Sequence, residues 1–80
     1  MPDSLLEIIA ETLEIGVNKV KEDSTIGNLP NWDSLTHIKL VLKLESRFSV
    51  RFKAEEIPEL TSVKKIRQSL EKHQAEGKTG

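Results

Sequence analysis

Residues 31–35 read Asn31-Trp32-Asp33-Ser34-Leu35, and they stand where a long polar loop meets an amphipathic segment. Asp-Ser ahead of an apolar run predicts a helix that begins at Asp33 or Ser34. A serine there would expose its hydroxyl at a helix N-terminus, where backbone N–H groups and the helix dipole favour a phosphate group. The same residues also fit an ordinary helix cap, and Asp33-Ser34-Leu35 alone indicates a cap more often than a modification site.

The predicted second helix extends from this junction to about Phe48. Steps of 100° per residue place a broad core-facing arc on it, made of Ile38, Leu40, Val41, Leu44 and Phe48. Leu35 and Leu42 fall beside that arc, on a shoulder shared with Lys39 and Ser46. Spacing favours neither interpretation of this shoulder: it fits the edge of the core and a surface that contacts a partner equally well.

The segments before this helix are a first helix and a long loop. The first helix is predicted over about residues 4–15, because Ser4 and Glu7 have capping-box spacing and Gly16 tolerates the left-handed conformation at a helix end. Residues 16–33 are mostly turn formers, and a loop of this length in a compact domain tends to be functional. Four apolar residues are expected to hold it against the core: Val17, Val20, Ile26 and Leu29.

The segments after the second helix are short. One or two helical turns are expected over residues 53–57, and Pro58 limits any further helix there. The last helix is predicted to open at Thr61 or Ser62 as N-cap, with a buried stripe made of Val63, Ile66 and Leu70. The chain is therefore predicted to be all-α, a small four-helix bundle with three main helices, a short third helix and a long loop between helices 1 and 2.

Length and composition restrict the class of protein further. Eighty residues make one domain, 1–80, with a core at about 4–73 and a polar tail at 74–80 that is expected to fray. The absence of cysteine excludes disulfides and thiolate zinc sites and favours a reducing compartment. We expect a cytoplasmic protein, because the sequence offers neither a signal peptide nor a membrane span. A net charge of −1 argues against a dedicated nucleic-acid binder.

The order of these features resembles the acyl carrier protein family, including the related peptidyl and aryl carrier domains, over about residues 4–73. The features are a capped helix, a long loop, Asp33-Ser34-Leu35, a helix ending in Phe48, a short acidic turn and Leu60-Thr61-Ser62-Val63. The resemblance implies that the protein is not an enzyme. It implies that a phosphopantetheinyl transferase attaches 4′-phosphopantetheine from coenzyme A to Ser34, making the chain a phosphoprotein.

The resemblance also implies roles for the neighbours of Ser34. Asp33 matches the acidic residue that the transferase recognises, and Leu35 and Leu42 match apolar residues that partner enzymes contact. The thiol of the arm would hold an acyl or aminoacyl group as a thioester and present it to a loading enzyme and a downstream synthase or transferase. In many members the cargo folds back into the core, where its cavity would be lined by Val41, Leu44, Phe52, Ile57 and Leu60.

The charge of the second helix departs from the family pattern. Fatty-acid synthase carriers usually have a strongly acidic second helix, whereas this one has Lys39, Lys43 and Arg47 against Glu45. Lys39 stands where acidic residues are common, which weakens or partly inverts electrostatic docking. The departure indicates a specialised carrier, one that serves a secondary-metabolite, aminoacyl or surface-modification pathway rather than housekeeping fatty-acid synthesis. We also expect the carrier to be a monomer.

Two other classes of protein compete with the carrier. A serine hydrolase could use Ser34 with Asp33 and His37, although the sequence has no Gly-x-Ser-x-Gly elbow. His37 is instead expected at the surface or rim, and His73 in solvent; two histidines so far apart make no metal-ligand spacing. A helical interaction module without prosthetic group would explain the fold equally well, with a solvated basic face on the last helix formed by Lys64, Lys65, Arg67 and Lys72.

Overall fold

The structure is a computed structural model that describes residues 4–77. Over this range the chain forms three α-helices: α1 (Ser4–Leu13), α2 (Ser34–Phe48) and α3 (Val63–Gly77). Two 3₁₀ turns, Val17–Lys19 and Ile57–Glu59, lie in the connections. Within residues 4–77 the only β-type pairing is an isolated bridge, so the prediction of an all-α fold and a small helical bundle is confirmed. No helix in this range is long and apolar enough to cross a membrane.

The helices and the connections bury their apolar residues in one core. The predicted stripe of α3 is fully buried, and the loop before α2 adds a large side chain, that of Trp32, which is 4% exposed. The cluster of buried apolar residues consists of Leu5, Ile8, Ile9, Ala10, Leu13, Val20, Trp32, Leu40, Val41, Leu44, Phe52, Leu60, Val63, Ile66 and Leu70. Residues from every connection take part in it, and the loops are therefore held in place by burial as well as by hydrogen bonds.

The end of α1 differs from the prediction. The helix ends at Leu13, and the left-handed residue is Glu14 (φ 58°), whereas Gly16 has an extended conformation. The N–H of Ile15 donates to the carbonyl of Ala10 at 3.0 Å, which is the 6→1 bond of a Schellman motif. The predicted limit at residue 15 was wrong because Ile15 leaves the helix to pack against the core.

The long loop after α1 is fixed at several points. Val20 is buried, and Ile26 and Leu29 pack against the core as predicted. Val17 is 49% exposed, contrary to the prediction, because the 3₁₀ turn that it opens turns Val20 inward instead. Residues 24–26 run beside residues 61–63, with N–H···O bonds from Ile26 to Thr61 (2.9 Å) and from Val63 to Ser24 (3.0 Å). The loop is thereby tied to the start of α3.

The connection between α2 and α3 contains the predicted turn and a second one after it. The N–H of Glu56 donates to the carbonyl of Lys53 at 2.9 Å, which closes a turn within the predicted range of 53–57. The 3₁₀ turn that follows spans Ile57–Glu59 and contains Pro58, which was expected to limit any further helix. Proline fits the first positions of a helical turn, since its φ is preset and its missing N–H is not needed there. Of the two predicted caps for α3, Ser62 takes the role: its Oγ accepts from the N–H of Lys65 at 3.2 Å.

The predicted fraying of the tail stays a prediction. The α3 helix continues through Gly77, so the backbone of residues 74–77 is helical. Residues 78–80 of the same predicted tail lie outside the described residues.

Candidate functional site

Asp33 caps α2 and leaves Ser34 as the first residue of the helix. The Asp33 side chain accepts a hydrogen bond from the N–H of Thr36 at 2.9 Å, and its carbonyl accepts from the N–H of His37 at 2.8 Å. The hydrogen bonds from Thr36 hold the pKa of Asp33 below its usual value. Asp33 is therefore ionised at neutral pH, and of the two residues predicted to start α2 it is the cap.

Ser34 is exposed at this helix start. Because Asp33 supplies the cap, the hydroxyl of Ser34 is not needed to hold the helix end. A phosphodiester on this oxygen would lie in solvent, beside the first-turn N–H groups and the positive end of the dipole. The residues present therefore fit a phosphate-linked prosthetic group.

The loop before Ser34 is held from both sides. Asn31 has a left-handed backbone (φ 66°), and its side-chain amide donates to the carbonyl of Leu13 at 2.8 Å. The next residue, Trp32, turns its ring into the core. The residues just before Ser34 are thus anchored to the end of α1 and to the core.

Trp32, His37 and Ile57 form a chain of hydrogen bonds that we call the imidazole bridge. The indole Nε1–H of Trp32 donates to Nδ1 of His37 at 3.0 Å, and Nε2 of His37 lies 2.8 Å from the carbonyl oxygen of Ile57. Since the indole can only donate, Nδ1 carries no proton, and the neutral ring donates through Nε2–H. The two rings are stacked, with centroids 6.1 Å apart. The bridge joins the loop, α2 and the second 3₁₀ turn.

The burial of His37 corrects the prediction that it lies at the surface or rim. His37 is 6% exposed, whereas Ile38, which was assigned to the core arc, is 47% exposed. The core face of α2 is rotated so that residue 37 lies in line with Val41 and Leu44, at helical spacings of four and three. The signal was present in this spacing, but an imidazole is buried there only because Trp32 and Ile57 satisfy both ring nitrogens.

The same contacts contradict a Ser–His–Asp triad. Both ring nitrogens of His37 are occupied by Trp32 and Ile57, and the carboxylate of Asp33 is turned to the backbone of Thr36. Neither group is placed to activate the hydroxyl of Ser34. Among the described residues no cluster of three or more acidic, histidine or cysteine side chains could hold a metal ion.

The outer strip of α2 consists of Leu35, Ile38, Lys39 and Leu42. Leu35 is 68% exposed and Leu42 60% exposed, so the open question about this shoulder is answered: it is not the edge of the core. Lys39 is also exposed. Glu45, the acidic residue of this helix, accepts a hydrogen bond from the N–H of Phe52 at 2.8 Å. The outer strip is therefore an exposed apolar surface that includes one basic residue, Lys39.

The residues expected to line an acyl cavity are brought together in the core. Four of them are buried and the fifth, Ile57, is partly buried against the same cluster; the four are Val41, Leu44, Phe52 and Leu60. They come from α2, from the connection that follows it and from the second 3₁₀ turn. Any chain that enters the core from Ser34 has to part these side chains.

Glu56 ties the second 3₁₀ turn to α3. Its carboxylate accepts from the N–H of Lys53 at 3.0 Å and from the hydroxyl of Ser69 at 3.0 Å, and lies 3.0 Å from Nε2 of His73. His73 was expected in solvent, but its side chain is only 16% exposed because it packs edge-on against Phe52. The bond from Lys53, helped by His73 and Ser69, lowers the pKa of Glu56 to about 2.

We expect Glu56→Gln to make the free energy of unfolding less dependent on pH between pH 5 and 2. Because the folded pKa lies below the usual value of 4.5, ionised Glu56 stabilises the fold above about pH 4.5, and this stability is lost as pH falls towards 2. The wild type should lose roughly 2 kcal/mol more than the variant between pH 5 and 2. Urea unfolding at these pH values measures the difference, with exposed Glu59→Gln as the control. Equal slopes for wild type and Glu56→Gln would contradict the role of this carboxylate.

The fold and the site define a class of small helical domain that presents one exposed serine at a capped helix start. A family model described as a phosphopantetheine attachment site matches residues 3–70. The acyl carrier protein of Helicobacter hepaticus is 33% identical over 64 residues, which cover 80% of this chain and 84% of that protein. That of Wolinella succinogenes is 31% identical over 61 residues, covering 76% of this chain and 80% of that protein.

The chain therefore belongs to the acyl carrier protein family. Its function is that of a carrier and not of an enzyme, and its cofactor is a covalently attached 4′-phosphopantetheine. When bound, this group supplies a flexible arm with a terminal thiol. The carrier function implies partner enzymes that act on the arm.

Proposed function

We propose that Ser34 bears the phosphopantetheine arm and that the arm carries acyl or aminoacyl groups as thioesters. The observation that supports this is the exposed hydroxyl of Ser34 at the first position of α2, with the capping role taken by Asp33. A separate transferase with its magnesium ion activates the hydroxyl, so the chain itself needs no general base. This agrees with the occupied ring nitrogens of His37.

The residues around Ser34 are proposed to serve recognition. Asp33 offers a fixed negative charge to the transferase, because its carboxylate is held by Thr36 and stays ionised. Leu35, Lys39 and Leu42 of the outer strip contact the partner enzymes. The exposure of the two leucines and the charge of Lys39 favour a partner with an apolar pocket and an acidic group at its rim. The carrier is accordingly a specialised one rather than the fatty-acid synthase carrier.

Lys39→Glu is expected to improve exchange with fatty-acid synthase enzymes, whose docking sites are basic. Reversing one exposed charge at an interface edge should lower KM by up to roughly fivefold, mainly through faster association. Steady-state kinetics at low and high salt measure this effect, and Lys72→Glu on α3 is the matched control. An unchanged KM for Lys39→Glu would remove charge as the reason for specialisation.

The remaining parts of the proposal concern the domain and its setting. The second 3₁₀ turn, Ile57–Glu59, takes the place of the short third helix of a four-helix carrier. We treat residues 1–80 as a single carrier domain that acts as a monomer in the cytoplasm and binds no nucleic acid. On α3 the basic face is partly neutralised, since Arg67 pairs with Glu22 at 2.9 Å. Long acyl chains would enter the core between Val41, Leu44, Phe52, Ile57 and Leu60.

An intact-mass spectrum tests the proposed function. The full chain is incubated with coenzyme A, magnesium and a broad-specificity phosphopantetheinyl transferase, and a mass gain of one arm is expected. Tryptic cleavage after Lys21 and Lys39 isolates residues 22–39, and fragmentation of that peptide locates the arm. An arm on Ser34 supports the proposal, whereas an arm on Ser24, Thr25 or Thr36 would refute the assignment. No gain with several unrelated transferases would favour a bare interaction module.

A further inference from the structure

The face of α2 that leads from Ser34 into the core contains one buried polar side chain, that of His37. Ser34, His37, Val41 and Leu44 follow at spacings of three, four and three, so they lie on one side of the helix. Exposure falls along this line: Ser34 is exposed, His37 is 6% exposed, Val41 is 3% exposed and Leu44 is 0% exposed. A group that starts at Ser34 and follows this face meets the imidazole before it meets any core residue on this line.

The imidazole of His37 is also held across the gap between α2 and the second 3₁₀ turn, through which a chain from Ser34 would reach the core. Its Nε2–H donates to the carbonyl of Ile57, which belongs to the turn facing α2, while its Nδ1 is held by the indole of Trp32. Both contacts would have to break, or both partners would have to move, before an apolar chain could pass between α2 and Ile57. The displaced carbonyl, indole and imidazole would then lack partners in a buried place, which opposes entry.

We propose that the imidazole bridge closes the path between Ser34 and the core, so that His37 decides which acyl groups stay in solvent. This inference rests on the proposed attachment at Ser34. Short acyl groups and groups with polar substituents near the thioester remain outside, because they bury too little apolar surface to offset the broken bridge. Long saturated chains enter only by opening it. His37 is thus a positioning and specificity residue, and the cargo favoured by the closed form is short or polar.

The test compares carriers loaded with an octanoyl arm from octanoyl-coenzyme A. Intact mass first establishes the single arm on Ser34, so a failure of attachment is recognised before the inference is tested. NMR then measures NOEs between the chain and the methyl groups of Leu44 and Leu60. The wild type is expected to give none. His37→Leu, which replaces the bridge by an apolar side chain, is expected to give clear NOEs, and Lys64→Leu, at an exposed position of α3 outside the bridge, should behave as the wild type.

Three outcomes would overturn the inference. They are core NOEs in the octanoyl wild type, their absence in folded His37→Leu, and equal NOEs in Lys64→Leu, which would show that the effect does not depend on the bridge. Should His37→Leu fail to fold, the wild type alone still decides. Arms from butyryl to dodecanoyl are attached, and the imidazole ¹⁵N shifts of His37 are followed. The ¹⁵N shifts should change at the chain length at which core NOEs first appear. Core NOEs without any change in these shifts would refute the proposal that the imidazole bridge closes the path.

Discussion

Ser34→Ala is expected to abolish attachment of the arm while leaving the free energy of unfolding within about 0.5 kcal/mol of the wild type. Loading should fall below detection because alanine has no oxygen to accept the phosphoryl group. The fold should be nearly unaffected, since the side chain is exposed and Asp33, not Ser34, accepts the N–H of Thr36. Intact mass and urea unfolding measure the two effects separately.

Ser46→Ala is the matched control for this prediction. Ser46 is an exposed serine of the same helix, three turns from its start, and its replacement should leave both loading and stability unchanged. Loading of Ser34→Ala at the wild-type level would mean that another hydroxyl bears the arm. A large loss of stability in the same variant would mean that Ser34 supports the helix start, contrary to the capping geometry.

Trp32→Ala is expected to have the largest effect on stability. The ring is 4% exposed and lies in the core cluster, so its removal leaves a cavity and should cost about 3–5 kcal/mol. An 80-residue domain has a total stability of roughly 4–12 kcal/mol. The variant should therefore be partly or largely unfolded at 37 °C. Circular dichroism during urea and thermal unfolding provides the measurement.

Trp32→Phe separates packing from hydrogen bonding at the same position. Phenylalanine keeps most of the apolar ring but has no N–H for Nδ1 of His37, so a buried acceptor loses its partner at a cost of about 1–3 kcal/mol. The loss should be clearly smaller than for alanine. A free energy of unfolding for Trp32→Ala within 1 kcal/mol of the wild-type value would contradict the prediction. It would mean that the indole contributes little to core packing and does not anchor this loop.

Local signals in the sequence were sufficient for much of the fold. The starts of α2 and α3 were predictable to within one residue, with Asp33 and Ser62 among the two candidates for each, because capping depends on the nearest few residues. The positions of Ile38 and His37 were not. On a helix of broad apolar character, hydropathy favours isoleucine for the core, and burial of histidine becomes favourable only when distant groups satisfy both ring nitrogens.

The end of α1 and the environment of His73 were missed for the same kind of reason. Glycine at position 16 was the expected helix stop, but the chain turns at Glu14 because packing of Ile15 outweighs the left-handed preference of glycine. His73 is partly buried because it contacts the carboxylate of Glu56 and the ring of Phe52, residues that lie far away in sequence. At Ser34, by contrast, the local pattern was enough to identify an exposed hydroxyl at a helix start.

Trp32 is an intrinsic fluorescence probe in this carrier. It is the chain's single tryptophan, so its fluorescence comes from one known place, two residues before Ser34 and stacked on the imidazole of His37. Any event that moves the start of α2 changes the surroundings of this fluorophore directly. Emission wavelength and lifetime can thus report in real time on loading, on the acyl group bound and on partner docking, with no dye attached to the protein.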